Sequence, residues 1–549
     1  MGSTTEDEKS FSLYATSPSA TQPLLHSSPP PVIESYSRDD PTRPLDGSDP
    51  SQYLQISYSH TYRPWKDIIF LVLFGVFVLL TFGFGVFAVV NRNSSYYDVS
   101  SYAYDDNTAS CVKENSSSSI FFSLGHSSGS EFRRALIWVL VITLLLSSPI
   151  CFLLLLFLKL YTKHIVYACL PFYVLLPAFF NVYWFVACTV NSPCSSDFPL
   201  GYRILVLLFV FLLIGVIIWI LVANWHRVEL TIAVLGIVSD ALSKNLGLFI
   251  ALPLMTLSLA IYYAPIVVFL VFARQNGEII WQDSGGAYSC EWKQDSWVPA
   301  YFALAIITML WSLTSMMEAH VYVISGTIAQ WYFSKADSAP KKSVRSSLKN
   351  AFGPSAGTIC LSGLLITAVR VVRAAVESTK EETSGIVNRT MRCFVNACLS
   401  AIDFANKFTI IFVAITGESY CTSARMTYEL LRRNLLSAAF VETISTRLLA
   451  GIVFVLSAIF AIAACAILEG VSHLRGASYL IAALAGGLLL IILGYFAHVL
   501  DHVIDVVYIC YAIDRDKGEV CIPEVHDIYV QLPISRHNTL SLVSNPSTV

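Results

Sequence analysis

A carboxylate inside an apolar segment is the first residue with a possible chemical role. Glu318 lies within a long hydrophobic stretch, where a charged side chain at a helix centre costs roughly 2.5 to 3.5 kcal/mol on insertion scales. Residues retained at such a cost are typically functional. Tyr322 lies four residues further on and would share its helix face. The alternative role for Glu318 is a structural hydrogen bond to another helix, or a buried acid that stays neutral.

A second carboxylate follows the apolar run Phe408–Ile415. Glu418 comes directly after Gly417, and arginines follow from Arg425 onward. A glycine beside a carboxylate at the end of an apolar run predicts a helix that ends or opens at a cavity. Helix-end carbonyls and a carboxylate both favour positive charge, so this point could bind a cation. The alternative is a helix end at the membrane surface, with Glu418 in water.

The last apolar segment ends in Asp501, His502 and Asp505. These three residues could relay protons, or they could hold a metal in an intramembrane hydrolase. No HExxH, P-loop or GxSxG pattern supports an enzyme. We therefore expect a protein that is not an enzyme and that has no metal and no cofactor.

Composition indicates which elements must position these residues. The chain has 549 residues, of which 55% are hydrophobic and only 13% charged, and its mean hydropathy is +0.62. These values are typical of an integral membrane protein built from helices. A net charge of −3 gives no reason to expect a nucleic-acid partner. We predict an all-α polytopic protein whose surroundings are the lipid bilayer.

The hydropathy pattern predicts ten membrane-spanning helices within residues 67–512. Each segment is close to the length that a bilayer requires, about 20 residues. Residues 1–66, with clusters of Pro and Ser, are predicted to be a disordered tail, and residues 513–549 form a second tail. The predicted spans are Ile68–Val90, Ala135–Leu158, Ile165–Ala187, Ile204–Val222, Leu246–Ala273, Pro299–Ile324, Ala356–Val376, Ser400–Ile415, Leu448–Leu468 and Tyr479–Leu500.

Basic residues in the short loops predict the sides of the membrane. Lysines follow spans two and six, and arginines follow span eight, which places these loops and both tails in the cytosol. Residues 91–134 are then an extracellular or luminal loop. Arg370 and Arg373, near the predicted outer end of span seven, run against this scheme, so the topology of spans seven and eight stays open.

The predicted outer loops contain asparagines and cysteines whose modification would show that these loops face the outside or the lumen. Asn93 and Asn115 each begin an Asn-Ser-Ser triplet, the acceptor pattern for N-glycosylation, although a Ser-rich loop also forms such triplets by chance. Four cysteines also lie in or near outer loops, where oxidation is possible, and their connectivity cannot be read from sequence. They are Cys111, Cys188, Cys194 and Cys290.

Trp225 to Asn245 mixes charged and apolar residues at roughly helical spacing. This pattern predicts a helix between spans four and five. It would lie in the cytosolic interface of the bilayer or pack on the protein as an amphipathic connector.

Four segments resemble the choline transporter-like family. Residues 311–333 end in VYVISGTIAQWYF, residues 357–377 read GTICLSGLLITAVRVVRAAVE, residues 416–434 read TGESYCTSARMTYELLRRN, and residues 505–514 read DVVYICYAID. They occur in the family's order, and the resemblance covers about residues 299–516. It implies ten spans, cytosolic termini, and movement of choline or a related amine across a plasma or organelle membrane.

A choline-like substrate implies a site with aromatic faces. A quaternary ammonium donates no strong hydrogen bond and is held by aromatic rings with a carboxylate nearby. Trp and Tyr also form belts at membrane surfaces, which is the competing role for each candidate. The predicted substrate-binding residues are Glu318, Trp311, Tyr322, Glu418, Trp184 and Tyr263.

The sequence thus predicts a multi-pass transporter of choline or an ethanolamine-like cation, located in the plasma membrane or, alternatively, in an endomembrane. A membrane scaffold or trafficking factor with the same fold is the alternative function, with the hydrolase a third.

Overall fold

We describe the fold from a computed structural model of the chain. The residues that it describes are 58, 63–105, 110–113, 129–190, 194, 198–223, 225–283, 288–334, 343–378, 386–471, 477–517 and 520–530.

Helices make up most of the described chain. They are α1 (Ile68–Val90), α2 (Gly129–Val190), α3 (Leu200–Ala223), α4 (Trp225–Lys244), α5 (Leu248–Ala273), α6 (Val298–Tyr332), α7 (Ser343–Ala351), α8 (Ala356–Ser378), α9 (Ile386–Thr416), α10 (Tyr420–Val471), α11 (Ala477–Lys517) and α12 (Pro523–Tyr529). Backbone groups in lipid must be satisfied within the segment, which is why apolar runs of this length fold as helices.

Nine helices of the described residues are long and apolar enough to cross a membrane. One of them, Arg133–Val190, has 58 residues, and its backbone is kinked at Tyr161, where φ is −132°. The kink separates the predicted second and third spans, both of which lie within α2. The prediction of an all-α, multi-pass membrane protein is confirmed, and α1 has the predicted bounds.

The predicted tails are too long at the ends that meet the bundle. Residues 1–57 and 531–549 lie outside the described residues. Arg63, within the predicted tail 1–66, is buried. At the other end α11 continues to Lys517, and α12 buries Val525 and Tyr529. At the first boundary a polar residue beside the apolar run bonds to helix ends. At the second, α11 continues past the apolar run and Tyr529 packs against Tyr508 of α11.

Two small hairpins lie between helices on the predicted outer side. Strands β1 (Tyr102–Asp105) and β2 (Ser110–Lys113) pair antiparallel, as do β3 (Gly277–Asp283) and β4 (Tyr288–Gln294). A disulfide between Cys111 and Cys290 joins the hairpins. A second joins Cys188 to Cys194. The four cysteines predicted to lie in or near outer loops are therefore paired.

Asn93 and its amide are part of this outer structure. Its Nδ2 donates to the Gly277 carbonyl at 3.1 Å. A glycan would replace one of the two hydrogens on that nitrogen, so only the other could donate to Gly277, and glycosylation at Asn93 stays a prediction. Asn115 lies outside the described residues.

Helix α4, the predicted connector, packs on protein. Leu235, Val238 and Leu242 are fully buried on one face, and the helix lies against α2 and α11. The opposite face carries Asp240 and Lys244, which form an ion pair.

The centre of the bundle is formed by α6, α9 and α11. In α9 the run Phe408–Ile415 is completely buried, and α11 is buried from Leu500 to Ile513. Helix α9 ends at Thr416 because Gly417 has a φ of 76°, a left-handed conformation that stops a helix and that glycine adopts without strain. The predicted helix end is therefore present. We call this predicted cytosolic end of the bundle the inner end.

Candidate functional site: a charged cavity closed at its inner end

A polar cavity of about 400 Å³ lies between α6, α8, α9 and α11. Its volume is within the range of small-molecule sites, about 300 to 1,000 Å³. The lining combines acidic, basic and imidazole side chains with a few apolar ones. It consists of Met317, Glu318, His320, Val321, Ile324, Ile366, Arg370, Arg373, Asp403, Lys407, Tyr495, His498, Val499 and His502.

Glu318 is the most buried carboxylate of this lining, with 9% of its surface exposed. The Ser362 hydroxyl and the Asn406 side chain are within hydrogen-bonding reach of its carboxyl group. Among the described residues its Oε2 atom has no hydrogen-bond partner. Leaving a buried polar group without a partner costs about 1 to 3 kcal/mol. The free oxygen therefore suits a cationic ligand.

Lys407, which lines the cavity, lies between two aspartates outside the lining. Its Nζ is 2.5 Å from the Asp505 Oδ2 and 3.6 Å from the Asp501 Oδ2. Two carboxylates beside one ammonium leave a net negative charge. These aspartates, considered above as a proton relay or a metal site, thus hold a lysine. In the described part of the chain no group of three or more His, Cys, Asp or Glu is arranged to hold a metal ion.

Two histidines complete this side of the cavity. The Nε2 atoms of His498 and His502 are 3.1 Å apart, one helical turn from each other on α11. One imidazole must donate and the other accept, because two N–H groups cannot share that contact. The ring of His320 lies 6.3 Å from the ring of Tyr495. Tyr495 is the aromatic residue that lines the cavity alongside these imidazoles.

The inner end of the bundle is closed by the segment that precedes α1. The Arg63 guanidinium donates to the Tyr322 hydroxyl at 2.7 Å and to the Ala414 carbonyl at 2.9 Å. The Tyr322 hydroxyl also bonds Ser355, at 2.9 Å. An arginine at the carbonyl end of α9 is favourable because a helix leaves its last carbonyls unpaired and carries partial negative charge there.

Two further residues of this segment hold the same helix ends. Asp67 accepts a hydrogen bond from the Thr358 hydroxyl at 2.8 Å and one from the Tyr420 N–H at 3.0 Å. Lys66 forms an ion pair with Glu418 at 3.4 Å. The helices α8, α9 and α10 are thus tied together by the chain that enters α1.

A line of hydrogen bonds joins this closure to the cavity. Tyr420, whose N–H binds Asp67, donates its hydroxyl proton to the Asn406 Oδ1 at 2.7 Å. Ser362 donates to the same oxygen at 2.8 Å. Asn406 is also one of the two groups beside Glu318. A change at Glu318 therefore reaches the closure through two side chains.

Of the six predicted site residues, Glu318 lines the cavity. Tyr322 lies one turn, or about 6 Å, further along the helix axis, and its hydroxyl is part of the inner closure. Glu418 is 45% exposed and pairs with Lys66.

The other three predicted aromatics lie elsewhere. The Trp311 indole donates to the Cys360 carbonyl at 2.9 Å, and its ring packs against α1. Tyr263 donates to the Met309 carbonyl at 2.6 Å, and Trp184 packs against Phe198. The structure does not bring these three together with Glu318, because each makes its contacts outside the cavity.

Sequence reasoning missed Arg63, Arg370 and Arg373 as parts of this system. A signal for the last two was present: arginines near the predicted outer end of a span break the charge rule for loops. Both residues line the cavity, and Arg373 pairs with Asp403 at 2.9 Å. Both arginines belong to helix α8 and not to a loop, with Arg370 exposed and Arg373 half-buried, which explains why loop counting misjudged them.

The fold and this buried charged cavity define a multi-pass membrane protein whose helices enclose a polar site. A family model described as plasma-membrane choline transporter matches residues 208–516. The chain therefore belongs to this choline transporter family, as the resemblance implied. Glu318, Lys407 and both histidines of α11 lie inside the matched region.

Individual relatives are distant. A CTL-like protein of Dictyostelium discoideum is 23% identical over 241 residues, which is 41% of this chain and 43% of the relative. Choline transporter-like protein 2 of Xenopus laevis is 28% identical over 149 residues, 26% of this chain and 21% of the relative. Choline transporter-like protein 1 of Mus musculus is 22% identical over 310 residues, which is 53% of this chain and 46% of the relative. The chain spans less than half the length of these curated relatives.

Proposed function

We propose that this protein carries choline or a related small organic cation across a membrane, and that Glu318 binds the positive charge. The observation that carries the proposal is the unpaired Oε2 of Glu318 in the polar cavity. The family description and the names of the relatives support choline as the substrate class. The net negative group around Lys407 adds to the attraction for a cation.

The cavity and its closed inner end suggest how transport would proceed. With Arg63 in place, the site lies on the outer side of the closure. A cation that neutralises Glu318 alters the hydrogen bonds of Asn406 and Tyr420, and so weakens the hold on Asp67. Release of the segment before α1 would then open the inner end, which is an alternating-access cycle.

The test is uptake of radiolabelled choline into proteoliposomes that contain the purified full-length protein. Saturable uptake that ethanolamine inhibits and a non-amine solute does not is the expected result. We propose the plasma membrane as the site of action, with an endomembrane as the alternative, and the same assay serves for either.

The matched variants are Glu318→Gln and Glu377→Gln, the latter at an exposed position of α8. The first removes the charge from the buried cavity and should lower uptake at least tenfold. The second makes the same chemical change at an exposed residue outside the cavity and should stay within twofold of wild type. Equal uptake by both variants, from protein shown to be folded and inserted, would remove Glu318 from the site. No uptake by folded wild-type protein would favour a scaffold or trafficking role.

A further inference from the structure

A second cavity, of about 480 Å³, lies against the polar one. It is bounded by α2, α5 and α11, and Tyr495 and Val499 line both cavities. The wall between the two spaces is therefore formed in part by one tyrosine ring. The volume of the second cavity also falls in the range of small-molecule sites.

The lining of this second cavity is almost entirely hydrocarbon. Phe249, Leu252 and Phe496 form its inner wall, and the side chains of Leu144 and Ile250 at its rim are exposed. Because α2 and α5 are spanning helices, this rim faces lipid tails. An apolar space offers a small cation no polar partner. The hydrocarbon chain of an amphiphile, by contrast, enters it from the bilayer without crossing water.

The polar cavity, for its part, contains charges of both signs. Glu318 has a carboxylate oxygen without a hydrogen-bond partner among the described residues, and the charge of the exposed Arg370 acts on this carboxyl group. The Arg370 guanidinium lies 3.5 Å from the sulfur of Met317, the neighbour of Glu318. A bare cation gains from Glu318 but is repelled by Arg370. A headgroup with an ammonium and a phosphate satisfies both, since arginine binds phosphate oxygens with two parallel hydrogen bonds.

We propose that the two cavities together bind a single-chain zwitterionic phospholipid, with its ammonium group at Glu318, its phosphate at Arg370 and its hydrocarbon chain in the apolar cavity beyond Tyr495. This inference deepens the proposed function, because it rests on the same Glu318 cavity and names a larger class of substrate for it.

The test is equilibrium binding of radiolabelled lysophosphatidylcholine and, in parallel, of radiolabelled choline. The full-length protein is held in nanodiscs of phosphatidylglycerol, so that the bilayer brings no choline headgroups. Empty nanodiscs and labelled lysophosphatidylglycerol measure partition of the chain into lipid. We expect lysophosphatidylcholine to bind at least tenfold more tightly than glycerophosphocholine, which has the head without the chain.

Two variants separate the chain site from the head site. Ser148 has an exposed side chain and lines the apolar cavity, so Ser148→Trp should fill it and weaken lysophosphatidylcholine binding at least tenfold. Ser258→Trp makes the same change on an exposed position of α5 outside the cavity and should change neither ligand. Arg370→Gln should weaken lysophosphatidylcholine binding and strengthen choline binding, because it removes a phosphate ligand and a repelling charge.

The outcomes distinguish this inference from the proposed function. Choline binding without tighter lysophosphatidylcholine binding, or equal effects of Ser148→Trp and Ser258→Trp, would overturn the amphiphile site and leave the cation transporter intact. Lysophosphatidylcholine binding with the expected variant effects but no choline binding would overturn the cation transporter and leave the amphiphile site intact. Absence of both kinds of binding would overturn both.

Discussion

Two regions of this molecule contain the same three-charge arrangement with the signs exchanged. On α4, Asp240 lies between two lysines, 2.9 Å from the Lys159 Nζ and 2.7 Å from the Lys244 Nζ. Beside the cavity, Lys407 lies between Asp501 and Asp505. The Asp240 side chain is 33% exposed, whereas that of Asp505 is 3% exposed.

The two groups differ in how strongly solvent screens the one charge that each has in excess. Water near α4 screens the extra positive charge of the first group, so it costs little. The extra negative charge of the second group is held in the interior, where screening is weak, and it acts on the neighbouring cavity. Each group has one charge in excess. At Asp240 this makes an ordinary surface cluster, whereas at Lys407 it gives the neighbouring cavity an electrostatic bias toward cations.

The largest expected effect comes from removing the central cation of the buried group. Lys407→Met removes the ammonium group that two buried carboxylates share and should lower the free energy of unfolding by about 3 to 5 kcal/mol. Lys244→Met makes the same substitution on α4 but leaves Asp240 paired with Lys159, and it should cost less than about 1 kcal/mol. Unfolding in mixed micelles of rising SDS content measures both. Adding Asp505→Asn to Lys407→Met should recover part of the loss, and equal effects of the two lysine variants would break the comparison.

A smaller effect is expected at the inner closure, where a buried cation is held by neutral groups. Arg63→Ala removes charged hydrogen bonds and should cost about 1.5 to 3 kcal/mol in total. It should also raise, at least fivefold, the labelling rate of a Ser355→Cys probe by a membrane-impermeant thiol reagent from the inner side.

The control for this variant is Lys66→Ala, which removes a partly exposed pair and should cost less than about 1 kcal/mol. Site-resolved labelling is measured by peptide mass spectrometry, because other cysteines are exposed. Unchanged labelling in Arg63→Ala would show that Arg63 does not keep the inner end closed.

The smallest effect, with a defined pH dependence, belongs to Asp240. Burial raises the pKa of this carboxyl group, but the hydrogen bonds and charges of Lys244 and Lys159 outweigh burial and lower the pKa. A lowered pKa stabilises the fold above the pKa of an unfolded aspartate, and this contribution is lost as the pH falls through the folded value. Asp240→Asn should therefore destabilise by less than about 1 kcal/mol at pH 7. The difference from wild type should shrink progressively as the pH falls below about 4, and a difference that grows on acidification would contradict the assignment.

Most of the fold could be predicted because hydropathy and helix length depend on neighbouring residues alone. The bounds of α1 and the end of α9 before Gly417 are examples. Glu318 could be found in the same way, since a charge within an apolar run is visible locally.

The remainder of the site depends on contacts between distant segments. Arg63 reaches Tyr322, 259 residues away, and Lys407 reaches α11. The predicted aromatics failed to converge on Glu318 because residue type indicates what a ring can bind but not which neighbour it meets. The polar hydrogens of Trp311 and Tyr263 are donated to backbone carbonyls of adjacent helices.

The disulfide between Cys111 and Cys290 closes a covalent ring across 179 positions of sequence. Helices α2 to α5 all lie within that ring, and α1 and α6 emerge from its two ends. A single proteolytic cut between the two cysteines would therefore leave one particle of unchanged mass until a reductant is added. The same disulfide ties the outer ends of α1 and α6 to each other, so we expect these two ends to move together.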